Sequence, residues 1–143
     1  MSQVSHSIVI ERSPAQIFSV LSDILHYPEF FPQVKKVEVL SSQAGKLDVS
    51  FVIDLMQPIA CVLQFSLEAP NCLSWTLVES ELLKSNSGSW KLEELEPNIC
   101  EVTYATEVEL AIWIPDAILE TLIKLHVPEM MKALQREVEK RYA

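Results

Sequence analysis

Glycine is almost absent from this chain: Gly45 and Gly88 are the only two in 143 residues. Phosphate loops of the P-loop or dinucleotide type need closely spaced glycines so that the backbone can approach a pyrophosphate, and none can be written here. Basic residues are also few, 11 against 20 acidic ones, for a net charge of −9. Nucleic acids are held by clustered Lys and Arg that replace counterions. The densest basic stretch, Lys132, Arg136, Lys140 and Arg141, is interleaved with Glu129, Glu137 and Glu139 and reads as a solvated helix face, so nucleic-acid binding by bulk charge is not expected. The three cysteines, Cys61, Cys72 and Cys100, form no CxxC pair and read as thiols in a reducing compartment. His6, His26 and His126 are far apart, and no zinc-like ligand spacing occurs, so neither a metal nor another cofactor is expected. No apolar run reaches the ~20 residues of a membrane span, and residues 1–6 lack the regions of a leader peptide, which gives a cytoplasmic expectation.

What the chain does contain is periodic apolar sequence. Val4 to Ile10 reads as a first strand. Ser13, Pro14 and Gln16 then announce a helix, with Ser13 as cap, Pro14 at the first helical position and Gln16 completing a capping box. Ile17, Val20, Leu21, Ile24 and Leu25 recur at helical spacing, which predicts a helix ending near Leu25. Pro28 and Pro32 bracket an aromatic elbow that has room for one helical turn. From Val34 the period becomes two, through Leu47 to Leu55, Ile59 to Leu67, Leu73 to Leu77, Trp90 with Leu92, and Cys100 to Leu110. Turn signals at Ser41 to Gly45, Gln57 with Pro58, Pro70 with Asn71, Asn86 to Gly88 and Pro97 with Asn98 predict an antiparallel meander. After Trp113, Ile114 and Pro115, apolar positions 118, 119, 122, 123, 127, 130, 131, 134 and 138 mark a long helix, with a kink or break expected near Val127 because of Pro128. The expectation is an α+β domain: a curved antiparallel sheet of about six to seven strands wrapped around a long C-terminal helix, with a short helical pair after the first strand.

Ser13-Pro14-Ala15 with Phe18 and Leu21, then Tyr27-Pro28-Glu29-Phe30-Phe31-Pro32 leading into Val34, Lys35, Val37 and Glu38, resembles the opening of the coenzyme Q-binding and polyketide cyclase family of START-like, helix-grip (SRPBCC) proteins. Gly88 with Trp90 matches the same family's pre-strand signature, and the resemblance covers essentially the full chain. It implies one START-like domain over residues 1–143, with an apolar cavity between sheet and C-terminal helix that holds a lipid, an isoprenoid quinone or a polycyclic compound. Three functions fall under it: a carrier or chaperone, a polyketide cyclase/aromatase or dehydratase, and a ribosome-associating, toxin-like protein. The scarcity of basic surface disfavours the last.

The inward strand positions Phe51, Ile53, Leu63, Phe65, Trp75, Leu77, Trp90, Val102 and Tyr104 either line such a cavity or pack as plain core, since both have the same periodicity. Trp113, at the strand–helix junction, either gates the mouth or staples the helix. Ile118, Leu122, His126 and Met130 are the helix residues expected to face the ligand. His126 is either an acid/base for ring closure or a core-edge histidine satisfied by the Lys124 carbonyl that Pro128 leaves free. The expectation is a non-enzymatic binding protein acting by desolvation, with His126 as the one catalytic candidate, opening at the C-terminal helix and an open oligomeric state.

Overall fold

The computed structural model describes residues 2–55 and 57–143. Strand β1 (Ser2–Ile10) leads into α1 (Pro14–Leu21). The entry to α1 is the capping box read from the sequence: Ser13 Oγ accepts from the Gln16 N–H and the Gln16 side chain accepts from the Ser13 N–H. The helix stops at Leu21, earlier than expected, because a single 3-10 turn (Ile24–His26) rephases the chain. Ile24 stays in the core while Leu25 is 60% exposed. Helix α2 (Tyr27–Phe30) is the one turn that the two prolines allow.

The strands β2 (Val34–Gln43), β3 (Lys46–Leu55), β4 (Gln57–Glu68), β5 (Cys72–Ser80), β6 (Leu83–Glu96) and β7 (Ile99–Leu110) form a meander, and β1 closes its far side by pairing with β7. All pairings are antiparallel in one seven-stranded sheet of order β1-β7-β6-β5-β4-β3-β2. Because β1 and β2 are opposite edges, the segment holding α1 and α2 has to cross the width of the sheet, which brings the aromatic elbow over the concave face.

Two turn expectations need correction. Gln57 and Pro58 are the start of β4, and Asn86 to Gly88 lie inside β6. Gly88 is opposite Trp75 in the register, and a Cβ built on it falls on Trp75 Cζ2, 2.8 Å from Trp75 Cε2 and 2.6 Å from the Ala105 carbonyl oxygen. This glycine therefore makes space for an indole rather than a bend. The first hairpin turns at Ala44 and Gly45, both at positive φ, at the end of the Ser41 to Gly45 signal. The β5–β6 ladder runs only from Cys72 to Thr76; beyond it the strands separate. The sheet thus parts at one place already. Ser80 Oγ pins that splayed hairpin, donating to the Ala60 carbonyl and accepting from the Leu82 and Leu83 N–H groups.

Helix α3 (Asp116–Arg141) runs on through Pro128 as one 26-residue helix, with no break at Val127. Pro128 removes only the donor for the Lys124 carbonyl, and Lys124 is on the exposed side of the helix where water replaces the lost bond. The buried stripe is Leu119, Ile123, Val127, Met131, Leu134 and Val138, mostly four-residue steps, so α3 meets the sheet along one narrow seam. Its C-terminal half is packed solid: Met131, Leu134 and Val138 are fully buried, as are Ile10 of β1 and Ile17 and Leu21 of α1. Its N-terminal half roofs a cavity instead. No helix among the described residues is long and apolar enough to cross a membrane.

Candidate functional site

Five adjacent strands each send one aromatic side chain onto the concave face: Phe51 from β3, Phe65 from β4, Trp75 from β5, Trp90 from β6 and Tyr104 from β7. Phe65 and Trp75 are direct cross-strand partners, as are Trp90 and Tyr104. The elbow completes the set, since Tyr27 at the start of α2 and Phe31 just after its end both reach the cavity. The seven rings form a closed circuit. Centroids are 5.0 Å apart for Tyr27–Phe31, 6.3 Å for Phe31–Trp90 and 4.7 Å for Trp90–Tyr104. The circuit continues at 5.6 Å for Tyr104–Trp75, 5.9 Å for Trp75–Phe65, 5.7 Å for Phe65–Phe51 and 6.4 Å for Phe51–Tyr27. All lie in the range in which aromatic pairs attract beyond their area burial. The rings line a cavity of about 180 Å³, roofed by Ile123, His126, Val127 and Met130 of α3.

The polar groups of the wall are few and mostly committed. The Tyr27 hydroxyl donates to the Leu21 carbonyl, and burial pushes its pKa far above the usual phenol value. Burial pushes Tyr104 up to about 12, an effect that its hydrogen bond with Thr106 only partly offsets. At both positions burial disfavours the phenolate. Trp75 Nε1 donates to Asn86 Oδ1 at 3.1 Å, which fixes the indole plane. Gln33, between the elbow and β2, donates from Nε2 to His126 Nδ1 at 3.2 Å; with this amide orientation the neutral imidazole carries its proton on Nε2. Gln33 Oε1 is buried and has no hydrogen-bond partner. Asp54 is the one acidic residue in the wall, and among the described lining residues there is no Lys or Arg. No three His, Cys, Asp or Glu side chains gather as metal ligands among the described residues.

Phe51, Ile53, Leu63, Phe65, Trp75 and Trp90 meet in the wall, and Tyr104, His126 and Met130 join them. Five candidate residues lie elsewhere. Val102 is fully buried in the closed core, and Leu77 is half-buried where β5 has left β6. Ile118 is 51% exposed and Leu122 half-buried, because the α3 seam passes through 119 and 123 beside them. Trp113 is 87% exposed and neither plugs the cavity nor staples the helix. The partner of His126 is the Gln33 side chain, not the Lys124 carbonyl. Among the wall residues that sequence reasoning passed over, Tyr27 and Phe31 had a signal in their four-residue spacing within the elbow. Gln33 had none, because a lone glutamine after a proline looks like any loop residue.

Residues 10–135 match the family model described as polyketide cyclase / dehydrase and lipid transport. No curated protein matches the sequence. Among solved structures, the Zhui aromatase/cyclase of a Streptomyces strain superposes with a TM-score of 0.89 at 18% identity, covering 99% of this chain and 95% of that one. A START superfamily protein of Mycobacterium smegmatis gives 0.88 at 19% identity, covering 98% and 99%. A Thermus thermophilus protein gives 0.89 at 16% identity, covering 99% of each chain. At these identities the superpositions speak for the helix-grip fold alone, and none singles out the coenzyme Q-binding branch. The family match over most of the chain, on a seven-stranded sheet gripping a C-terminal helix, makes this protein a member of the polyketide cyclase/dehydrase and lipid transport family with a START-like fold.

Proposed function

We propose that the protein binds a ring-containing hydrophobic small molecule in this cavity and carries or protects it without converting it. The observation behind this reading is the closed circuit of seven aromatic rings around the cavity. The driving force is desolvation. A ligand hiding about 200–300 Å² of apolar surface gains about 5–7 kcal/mol at ~25 cal/mol per Å², before immobilisation is charged against it. The volume of about 180 Å³ is a little above the ~150 Å³ that takes a benzene and below the ~300 Å³ of small drug-sized sites. One or two rings fit as the cavity stands; a longer acyl or isoprenoid chain has to run out of the mouth or lift the N-terminal half of α3. The test is to purify the protein from its own host, extract it with solvent and identify copurifying molecules by mass. A stoichiometric apolar compound is the expected result. Protein that comes out empty and takes up no ring compound on titration overturns the proposal.

A second reading, a cyclase or dehydratase, draws support from His126, an imidazole in the cavity wall whose orientation Gln33 holds. It requires ring closure on a poly-β-ketone that disappears in His126→Phe while ligand binding persists; turnover unaffected by that change excludes His126 as the proton-transfer group.

A further inference from the structure

We propose that the ligand of this cavity is an uncharged aromatic compound of one or two rings bearing a hydroxyl group, and that the site rejects the carboxylate analogue of the same ring system. This rests on the reading that the cavity holds a ligand, and it narrows the class. Size sets the ring count, as argued above. Charge sets the second restriction. No Lys or Arg lines the cavity among the described residues, and Asp54, the one acidic residue among them, is exposed to solvent. A carboxylate or phosphate moved inside loses its water and finds no cation to replace it. The seven rings worsen its position wherever they turn their electron-rich faces inward. The surrounding chain, at −9, adds an unfavourable potential. Anionic lipids and acidic metabolites are therefore excluded from the interior, although an acyl chain alone would suit it.

The hydroxyl follows from the Gln33–His126 pair. Gln33 Nε2 donates one N–H to His126 Nδ1, and Gln33 Oε1 is a buried acceptor without a donor. Gln33 lines the cavity, and a small turn of its amide toward the interior brings this oxygen within reach of a hydroxyl carried by a ligand. Three other donors of the wall are engaged within the protein: the Tyr27 hydroxyl with Leu21, Trp75 Nε1 with Asn86, and Thr106 Oγ1 with the Ser87 carbonyl at 3.3 Å. An ether or a ring without a donor leaves Gln33 Oε1 orphaned. Sites with a buried polar group of this kind discriminate against ligands that lack the matching group far better than apolar walls discriminate by size.

The experiment is a calorimetric titration of the full chain at pH 7 with four probes of one ring system: naphthalene, naphthol, methoxynaphthalene and naphthoate. Naphthol is expected to bind about tenfold more tightly than its methyl ether and about a hundredfold more tightly than naphthoate. In Gln33→Leu the preference for naphthol over the ether, read as a ratio within the variant, is expected to fall to about threefold or less. Naphthoate binding as well as naphthol, or the ether matching the alcohol in the unmodified protein, overturns the proposal even if Gln33→Leu fails to fold. Naphthalene binding with no discrimination among the four overturns this inference and leaves the cavity reading standing. Failure of all four to bind removes both.

Discussion

Gly88→Ala is the substitution that most sharply tests how the cavity is built. The added Cβ is placed 2.8 Å from Trp75 Cε2 and 2.6 Å from the Ala105 carbonyl oxygen. Normal carbon contacts begin near 3.5 Å, so the indole has to retreat by at least about 0.7 Å, and the β7 backbone has to give as well. Retreat of Trp75 stretches its 3.1 Å hydrogen bond to Asn86 and pushes the ring into the cavity. Overpacking of this kind costs about 1–3 kcal/mol and the hydrogen bond about 1 more, for a total near 2–4 kcal/mol. For a domain of this length that lowers the melting temperature by roughly 5–15 °C. Thermal denaturation followed by far-ultraviolet circular dichroism reads the stability, and calorimetric titration with naphthalene reads the loss of cavity volume. Adding Trp75→Leu removes the clash with the ring but not that with Ala105, so the double variant is expected to recover about 1 kcal/mol relative to additivity. A Gly88→Ala protein that melts within about 1 °C of the parent and binds naphthalene unchanged refutes the claim that this position is empty to seat the indole.

Three further outcomes follow from the same structure. Pro128→Ala restores the missing donor beneath Lys124 and is expected to raise the melting temperature by several degrees, from about 1–3 kcal/mol, and to slow ligand release measured by stopped flow, because the roof of the cavity is then one unbroken ladder. Asp23 accepts from His26 Nδ1 at 2.6 Å and pairs with Arg141 at 3.0 Å; partial burial opposes its ionisation, but these two partners win and hold its pKa below the usual value, while Asp23 raises that of His26. The Asp23 contribution is complete above 3.8 and lost as pH falls through its lowered pKa, whereas the His26 contribution is complete below 6.5 and lost as pH rises through its raised one. The stability gap between parent and Asp23→Asn in pH-dependent melts should therefore be widest between those two values, and a flat gap contradicts the pairing. Burial raises all three thiols, Cys61 and Cys100 up to about 11, but only Cys72 is half-exposed, so a thiol reagent at pH 8 should label Cys72 first, with the other two reacting only on unfolding, as peptide mass mapping will show.

Much of the scaffold could be read from local pattern, because local physics decides it. The Ser13–Gln16 box, the period-two core of β3 and the long terminal helix depend on neighbours in sequence, and all three are where the pattern put them. The errors share a different cause. Asn86 to Gly88 has the composition of a turn, yet its glycine answers to Trp75 across the sheet, a contact no window of sequence contains. Ile118 and Leu122 carry the right hydrophobicity but the wrong phase, since a helix that docks along a narrow seam leaves its flanking apolar positions out. Val102 and Tyr104 alternate on the same strand face, and only the tertiary position of the α3 roof separates closed core from cavity wall. Gln33 and His126 are 93 residues apart, and the crossing of the first helical segment over the sheet is what brings them together.

The aromatic circuit is also a chromophore. Trp75 and Trp90 stand within it, 5.6 Å and 4.7 Å from Tyr104, while the third tryptophan, Trp113, lies 87% exposed at the foot of α3. Energy absorbed by Tyr104 passes to the two indoles at these separations, and a guest among the rings changes their emission and their coupled near-ultraviolet signal. Trp113, emitting at longer wavelength from water, serves as a built-in reference. The protein thus reports the filling of its own interior, without a label, as a ratio between two colours of the same amino acid.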